Sequence, residues 1–407
     1  MVSIRREYKC TELSFGLSDL HSIYIALIVV SVIFTILRDE IFYMMRKSCS
    51  PLAIMLLSVT LLSAQQKPVK LSANQQQSIQ KVMQAYDSAG SPGAALLVMD
   101  GGNIIYQQAY GYKNLATSTR VDITTCFRLA SLTKQFTAMC ILQLVQAGKL
   151  SLDDPIRLYL DSLPTYTENI KVRNLLTHTS GLVDYEDLIP SSQTRQVLDI
   201  DCKRLMNATD HLYFQPGTAY RYSNTGFALL ALIVQKVSGQ DFATYLQQHI
   251  FQPLQMKASL ALEAGKTSVP NRAMGHSRTK SGWDVTDQSV TSAVLGDGGI
   301  YTNVQDMAKW LRAICNYQLI PANLQQQAWN RATLNTGVPI DYGFGWHVED
   351  FRGKAHPYHS GSSIGFRNHV LLFPEKQRAV IILTNRDEGD PMIETKKIMD
   401  IIWPVQQ

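Results

Sequence analysis

The sequence predicts a mixed α/β fold of the α+β class, in which an antiparallel sheet is flanked by helices and joined to a mostly helical lobe. Strand-like runs occur in two places, a hairpin near residue 100 and a series of short runs after residue 342. Helical periodicity predominates between them. The economical arrangement pairs all these strands in one sheet, so we expect a sheet lobe (67–130 and 342–407) and a helical lobe (131–341) within one catalytic unit, 67–407.

The elements follow in chain order. Residues 71–90 predict an amphipathic helix capped by Ser72, and a strand hairpin follows at 94–100 and 103–112 around an Asp-Gly-Gly turn. An apolar helix then begins at Ser131. Later helical patterns cover 170–176, 224–238, 241–250, 304–315 and 390–403. The closing strand-like runs cover 342–350, 354–360, 366–374 and 378–385.

The composition is that of an ordinary globular protein: 45% of the 407 residues are hydrophobic and 17% are charged. A formal net charge of +5 without a long Lys/Arg block argues against a nucleic-acid partner. The six cysteines (10, 49, 126, 140, 202 and 315) show no metal-ligand spacing. The last four could be free or paired, and free buried thiols are the expectation. His356 and His359 would point to opposite faces of a strand. We therefore expect neither a metal nor another cofactor.

The first 66 residues predict a targeting segment. An Arg-Lys pair at 46–47 precedes a mostly apolar stretch, 52–62, which resembles a signal peptide and is too short to span a bilayer. A second apolar run, 20–37, approaches the ~20 residues of a transmembrane helix. Either the true start is Met44 or the next methionine, which makes the upstream part a start-site artefact, or the run is an uncleaved membrane anchor. Both interpretations place the remainder in the periplasm or outside the cell, with membrane association in the second case.

The apolar helix that opens at Ser131 raises a chemical question, because Lys134 stands at the start of a helix that is apolar on nearly every side. Residues three apart share one helix face, so the hydroxyl and the amine can touch. Desolvation disfavours the charged form of a buried amine, which can then accept the hydroxyl proton. The helix N-terminus favours developing negative charge. The alternative is that Ser131 only caps the helix while Lys134 reaches the surface.

Two further motifs add chemistry. In Tyr222-Ser223-Asn224, a tyrosine beside a lysine can act as a base, and the carboxamide of Asn224 can bind a substrate amide. The alternative is a helix cap with a packed tyrosine. In His359-Ser360-Gly361-Ser362, the glycine lets a strand edge approach a ligand closely. The N–H of Ser362 would then stabilise an oxyanion.

The order Ser-x-x-Lys, Tyr-x-Asn and His-x-Gly resembles the serine beta-lactamase and penicillin-binding-protein superfamily, in particular the class C beta-lactamase branch with its DD-carboxypeptidase and esterase relatives. The resemblance extends from about Pro92 to Asn385. It implies that Ser131 becomes acylated, that Lys134 and Tyr222 share the base and acid roles, and that Asn224 holds the substrate amide. The N–H groups of Ser131 and Ser362 would form the oxyanion hole. His359 and Ser360 would line the far wall, where they contact Tyr222 or a substrate carboxylate.

The third motif departs from class C beta-lactamases, which usually have Lys-Thr-Gly. A neutral histidine removes a fixed positive charge, and the pattern is closer to secreted DD-carboxypeptidases and D-amino-acid peptidases. The sequence therefore predicts an exported serine hydrolase that acts on a small-molecule or peptide substrate (a peptide, amide or ester), in the manner of a D-alanyl-D-alanine carboxypeptidase or a beta-lactamase. The alternatives are a small-ester hydrolase and a catalytically silent scaffold on the same fold. His178 is expected to be a hydrogen-bonded turn residue, and Gly298-Gly299 a tight turn near the site.

Overall fold

The computed structural model describes residues 70–404. The predicted targeting segment, 1–66, lies outside this range, and so do Cys10 and Cys49. Between residues 70 and 404, no helix has both the length and the apolar character needed to cross a membrane. The four cysteines in this range are free and buried, as expected.

A six-stranded antiparallel sheet forms the centre of the fold. Its strands are β1 (Ala94–Asp100), β2 (Asn103–Tyr110), β10 (His347–Phe351), β11 (Lys354–Ser363), β12 (Phe366–Phe373) and β13 (Arg378–Thr384). They lie in the order β10-β11-β12-β13-β1-β2. The predicted pairing of the early hairpin with the late strands is confirmed, since β1 lies against β13 with Ala94 opposite Thr384.

The sheet is covered on both faces, which explains why β1 and β13 are apolar runs without alternation. Leu96 and Val98 face a small core beneath the first and last helices, while Leu97 faces the large core shared with the helical region. The two covering helices are α1 (Ala73–Val82) and α10 (Pro391–Ile402). The predicted helix over 71–90 is shorter than expected because α1 gives way to a 3-10 turn at Gln84–Tyr86.

The region between the two strand groups is mostly helical, as predicted. Its helices are α2 (Lys134–Gln146), α3 (Val172–Leu176), α4 (Asp199–Asn207), α5 (Asn224–Ser238), α6 (Phe242–Leu246), α7 (Leu295–Gly298), α8 (Val304–Cys315) and α9 (Ala322–Trp329). The bounds of α5 and α8 match the expected ones. Helix α5 ends where Gly239 adopts a left-handed conformation with φ 72°, which a glycine tolerates without strain.

Short strands that the sequence did not predict also occur in the middle of the chain. They are β3 (Tyr112–Asn114), β4 (Thr119–Arg120), β5 (Phe127–Arg128), β6 (Leu260–Ala261), β7 (His276–Thr279), β8 (Gly282–Val285) and β9 (Ile300–Thr302). Strand β5 pairs with β9 rather than with the large sheet. This small sheet fixes the chain immediately before Ser131.

Candidate active site

Ser131 lies on a 3-10 turn, Ala130–Thr133, that leads directly into α2. The predicted helix thus begins as a tighter turn. Ala130 has a φ of 50°, in the left-handed region that is sparsely populated by residues other than glycine. A strained residue directly before a reactive serine fixes the direction in which the hydroxyl points. Ser131 is half-buried, so its hydroxyl remains within reach of a ligand.

Lys134 is completely buried, with 0% of its surface exposed. The alternative in which it reaches the surface is therefore wrong. Its Nζ lies 3.1 Å from Ser131 Oγ, 2.7 Å from Asn224 Oδ1 and 3.0 Å from the main-chain oxygen of Asp297. The last two are carbonyl oxygens, which only accept hydrogen bonds. They hold two amine hydrogens, so the remaining position of the nitrogen faces the Ser131 hydroxyl.

Tyr222 stands over this amine, with its ring centre 5.0 Å from Lys134 Nζ. His178 lies on one side of the Tyr222 ring with 4.2 Å between ring centres, and its Nδ1 accepts a hydrogen bond from the N–H of Ser223. This contact agrees with the prediction of a hydrogen-bonded turn residue, and the φ of His178 is 57°. Burial, followed by the charge of Lys134, holds the pKa of His178 well below its usual range, so the ring is a neutral support.

His347, which the sequence did not single out, lies parallel to the Tyr222 ring at 6.1 Å between centres. Burial, followed by the charge of Lys134, lowers the pKa of His347 to about 4. Tyr222 therefore has neutral imidazoles beside it, and the cationic neighbour is Lys134. Only the three aromatic residues between 342 and 346 signalled this environment in the sequence.

Asn224 begins α5 and connects two parts of the site. Its Oδ1 accepts from Lys134, its Nδ2 donates to Glu186 Oε1 at 3.2 Å, and its N–H donates to Asp184 Oδ2 at 2.6 Å. The predicted role was to hold a substrate amide. The structure adds an orienting role, since the carboxamide oxygen fixes the amine of Lys134.

Three carboxyl groups that the sequence did not single out lie near Lys134, those of Asp184, Glu186 and Asp297. Burial raises the pKa of Asp297 to about 7, against the lowering influence of Lys134 and of the Tyr185 hydroxyl, which donates to Asp297 Oδ2 at 2.7 Å. Desolvation in the cleft, then the charges of Asp297 and Asp184, raise the pKa of Glu186 to about 7, although part of the residue is exposed. Asp297 directly precedes the predicted turn at Gly298-Gly299. The expectation that this turn lies near the site was therefore the one sequence signal for Asp297.

The third motif lies on β11. A Cβ added to Gly361 would overlap the carbonyl oxygen of Leu129, so this glycine permits β11 to pass directly over the chain before Ser131. We expected the close approach to involve a ligand, and the neighbour is backbone. On its other edge β11 pairs with β10 only as far as Tyr358. The edge of β11 beside the exposed residues Ser360 and Ser362 is therefore not paired with β10.

His359 does not offer the polar wall that we expected. It is 1% exposed, its Nδ1 lies 2.7 Å from the main-chain oxygen of Ser360, and its Nε2 lies 3.0 Å from the Tyr342 hydroxyl. The carbonyl can only accept, so Nδ1 carries the proton and Nε2 accepts from Tyr342. Both nitrogens are engaged, and no N–H remains for a substrate carboxylate. The ring does approach Tyr222, with 6.4 Å between ring centres.

Known proteins resemble this chain over most of its length. The model of the family described as Beta-lactamase matches residues 76–400. The chain belongs to the beta-lactamase family. The structure of a penicillin-binding protein from Bacillus halodurans matches with a TM-score of 0.68 and 28% identity over 82% of this chain and 99% of that chain. A D-amino acid amidase from Ochrobactrum anthropi SV3 shares the fold with a TM-score of 0.69 and 21% identity over 81% of this chain and 98% of that chain.

Two curated relatives illustrate the range of the family. A penicillin-binding protein of Bacillus subtilis (strain 168) is 27% identical over 337 residues, which are 78% of this chain and 73% of the relative. A D-aminopeptidase of Gluconobacter oxydans (strain 621H) is 30% identical over 302 residues, which are 72% of this chain. The chain spans only 56% of the length of that aminopeptidase. The fold class and the family predicted from the sequence are thus confirmed, as is the general class of serine beta-lactamase-fold hydrolases.

Proposed function

We propose that the protein is an exported serine hydrolase that forms an acyl-enzyme on Ser131 and acts on a peptide or amide. One observation carries the proposal: Lys134 Nζ lies 3.1 Å from Ser131 Oγ while two carbonyl oxygens hold its other hydrogens. The third position on Nζ is then directed at the hydroxyl of Ser131. Such an arrangement activates a serine, which is otherwise a weak nucleophile.

The reaction follows from these positions. The Ser131 hydroxyl gives its proton to the Lys134–Tyr222 pair as Oγ attacks the carbonyl carbon, and the negative charge collects on the carbonyl oxygen. The N–H groups of Ser131 and Ser362 are the proposed donors to that oxygen. When the C–N bond breaks, a proton passes through the Lys134–Tyr222 pair to the departing amine. Water then attacks the ester and releases the acid, and Ser131 regains its proton.

The proposal also concerns which bond the enzyme cleaves, that of a peptide or amide, a beta-lactam or an ester. The sequence predicted turnover like that of a D-alanyl-D-alanine carboxypeptidase or a beta-lactamase, with small esters as the alternative. Relatives named penicillin-binding protein and D-aminopeptidase support a peptide or amide. The engaged nitrogens of His359 weaken any substrate class that depends on a cation at the third motif. Export is supported by the predicted targeting segment, 1–66.

Covalent labelling tests the proposal. The protein is incubated with a fluorophosphonate and, separately, with a labelled penicillin, and its intact mass is measured. We expect one adduct in the wild type, none in Ser131→Ala, and an unchanged adduct in Ser192→Ala, a serine in an exposed loop. An adduct that persists in Ser131→Ala would refute the assignment. No adduct with either probe would favour the silent scaffold.

Turnover assays then rank the substrates. An acyl-D-alanyl-D-alanine peptide, a chromogenic cephalosporin and a short-chain nitrophenyl ester are compared by kcat/KM. Release of D-alanine as the fastest reaction supports the carboxypeptidase prediction. An ester as the fastest substrate, with no cleavage of amides, would replace the proposal with the esterase alternative.

A further inference from the structure

The amine of Lys134 lies near three carboxyl groups, yet within residues 70–404 it forms a salt bridge with none of them. The hydrogen-bond partners of its Nζ are the Ser131 hydroxyl and two carbonyl oxygens. Because buried charges in proteins are normally paired, this arrangement needs a structural cause. The other titratable groups around the amine are a phenol and three imidazoles whose pKa values burial holds below the usual range: Tyr222, His178, His347 and His359.

Each of the three carboxyl groups is held by a different donor. Asp184 accepts from the N–H groups of Glu186 and Asn224 at 3.1 and 2.6 Å. The carboxylate of Glu186 accepts from Asn224 Nδ2 at 3.2 Å. Asp297 Oδ2 accepts from the Tyr185 hydroxyl at 2.7 Å. The hydroxyl of Tyr185 is thus the side-chain donor that holds Asp297.

Asp297 is the acid best placed to pair with the amine. Its main-chain oxygen already lies 3.0 Å from Lys134 Nζ, so a rotation of the Asp297 side chain is the shortest route to a salt bridge. The residue is 6% exposed, and charges attract more strongly away from water. The backbone of α7 is fixed independently, since the N–H of Gly296 donates to Asp199 at 2.9 Å and its carbonyl accepts from Thr137 Oγ1 at 2.7 Å. The charged groups that act on the Asp297 carboxyl are Lys134, Asp199 and Arg128.

Tyr185 is a firmly held donor. It is completely buried, and its N–H donates to Thr225 Oγ1 at 2.7 Å, which anchors the residue to the first turn of α5. From there its hydroxyl reaches Asp297 on α7. Burial, followed by the charge of Asp297, raises the pKa of Tyr185 far above its usual range, so the phenol keeps its proton and remains a donor.

We propose that Tyr185 is a positioning residue of the acyl-transfer reaction, which holds the Asp297 carboxyl away from Lys134 and so leaves the third position of Nζ to Ser131. A carboxylate in that position would displace the serine hydroxyl and stabilise the ammonium form of the amine. The Lys134–Tyr222 pair would then take up the serine proton only at a higher pH. This inference rests on the proposed acyl-enzyme at Ser131 and adds a residue that controls the rate of its formation.

The pH profile of covalent labelling tests the inference. The second-order rate of reaction with a fluorophosphonate is measured by intact mass between about pH 5 and 10, a range that includes the ordinary titration of phenols and most amines. In Tyr185→Phe, we expect the half-maximal rate at a pH about 1–3 units higher than in the wild type, the usual effect of an adjacent opposite charge. The double variant Tyr185→Phe/Asp297→Asn has no carboxylate to release, so its midpoint should return to that of the wild type or lower.

The matched control is Tyr166→Phe, which removes a hydroxyl that donates to the main-chain oxygen of Met206 at 2.9 Å rather than to a residue of the site. Its midpoint should equal that of the wild type. A raised midpoint in Tyr185→Phe that the second substitution reverses supports the inference.

The remaining outcomes separate the two proposals. An unchanged midpoint in Tyr185→Phe, a raised midpoint that persists in the double variant, or an equal shift in Tyr166→Phe overturns the inference and leaves the acyl-enzyme standing. Loss of folding in Tyr185→Phe would show that the hydroxyl is mainly structural, which also overturns it. No labelling of the wild type at any pH refutes the acyl-enzyme itself.

Discussion

The two sides of the candidate active site are built in different ways. The helical wall consists of Ser131, Lys134, Asn224 and Asp297, and the amine of Lys134 contacts two side chains and the carbonyl of Asp297 there. The strand wall consists of residues 359–362 of β11, where the buried histidine is fully engaged and the exposed serines project from a strand edge. The helical wall therefore depends on side-chain identity, and the strand wall depends on where the backbone lies.

The largest effect is expected on the helical wall. Lys134→Met fills most of the same space without an amine, so Ser131 loses part of its proposed proton-accepting pair. We expect the acylation rate to fall about 100- to 10,000-fold, the usual contribution of a general base. The loss of the hydrogen bonds to the two carbonyl oxygens should lower the free energy of unfolding by only about 1–3 kcal/mol each.

Stopped-flow acylation and urea unfolding measure the two quantities for Lys134→Met. Lys149→Met, at an exposed position just after α2, is the matched control and should change neither. A variant that acylates at the wild-type rate would show that Lys134 is not the proton acceptor. An unfolded variant would show that its role is mainly structural.

A smaller effect is expected on the strand wall. In Gly361→Ala, the new methyl group overlaps the carbonyl of Leu129, so β11 must move away from the chain that carries Ser131. We expect a loss of about 1–3 kcal/mol in the free energy of unfolding, as for other overpacked sites. Acylation should slow as well, because the N–H of Ser362 moves with the strand.

Ser362→Ala is the internal control for this change, since it keeps the backbone N–H and removes only an exposed hydroxyl. Its stability should stay within about 0.5 kcal/mol of the wild type, and its acylation rate should be nearly unchanged. Thermal unfolding and acylation kinetics on both variants check the contrast. Equal defects in Gly361→Ala and Ser362→Ala would mean that the hydroxyl, rather than the backbone, matters on this wall.

The same difference explains what the sequence could predict. The contact between Ser131 and Lys134 is local, because three residues along a helix bring two side chains to one face. The bounds of α5 and α8 were predictable because hydrophobic periodicity and helix-end signals such as Gly239 lie within the helical segment or directly beside it. The hydrogen bond at His359 Nε2 comes from the Tyr342 hydroxyl, and a glycine is needed at position 361 because the carbonyl of Leu129 lies against it. Such partners are set by tertiary packing, and no local pattern indicates them.

The carboxyl groups were missed for a related reason. Asp297 and Glu186 lie in segments whose local sequence predicts only a turn or a loop, and they become chemically unusual because the fold buries them next to Lys134. Burial changes the ionisation of a carboxyl group much more than its neighbours in sequence do. The electrostatic part of the helical wall thus depends on tertiary packing and has no local signal in the sequence.

The smallest expected difference between the walls is in the pH dependence of stability, because the titrating carboxyl group, that of Asp297, belongs to the helical wall. Burial raises the pKa of Asp297 to about 7, so its protonated form stabilises the fold at low pH and this contribution is lost as the pH rises from about 4 through 7. Asp297→Asn keeps an oxygen that accepts from Tyr185 and cannot ionise. We therefore expect the free energy of unfolding of this variant, relative to the wild type, to increase between pH 4 and 8, at about 1.4 kcal/mol for each unit by which the pKa is raised.

Urea unfolding across this pH range measures the difference, and taking the difference removes the titration of Asp199, whose pKa burial raises to about 6. Asp153→Asn provides a control of opposite sign when the unfolding series is extended below pH 4. Arg173 lowers the pKa of Asp153, so the stability contributed by that carboxylate is lost as the pH falls below about 4. If the difference for Asp297→Asn is flat between pH 4 and 8, the carboxyl beside Lys134 ionises normally. The helical wall would then owe its chemistry to hydrogen-bond geometry alone, as the strand wall does.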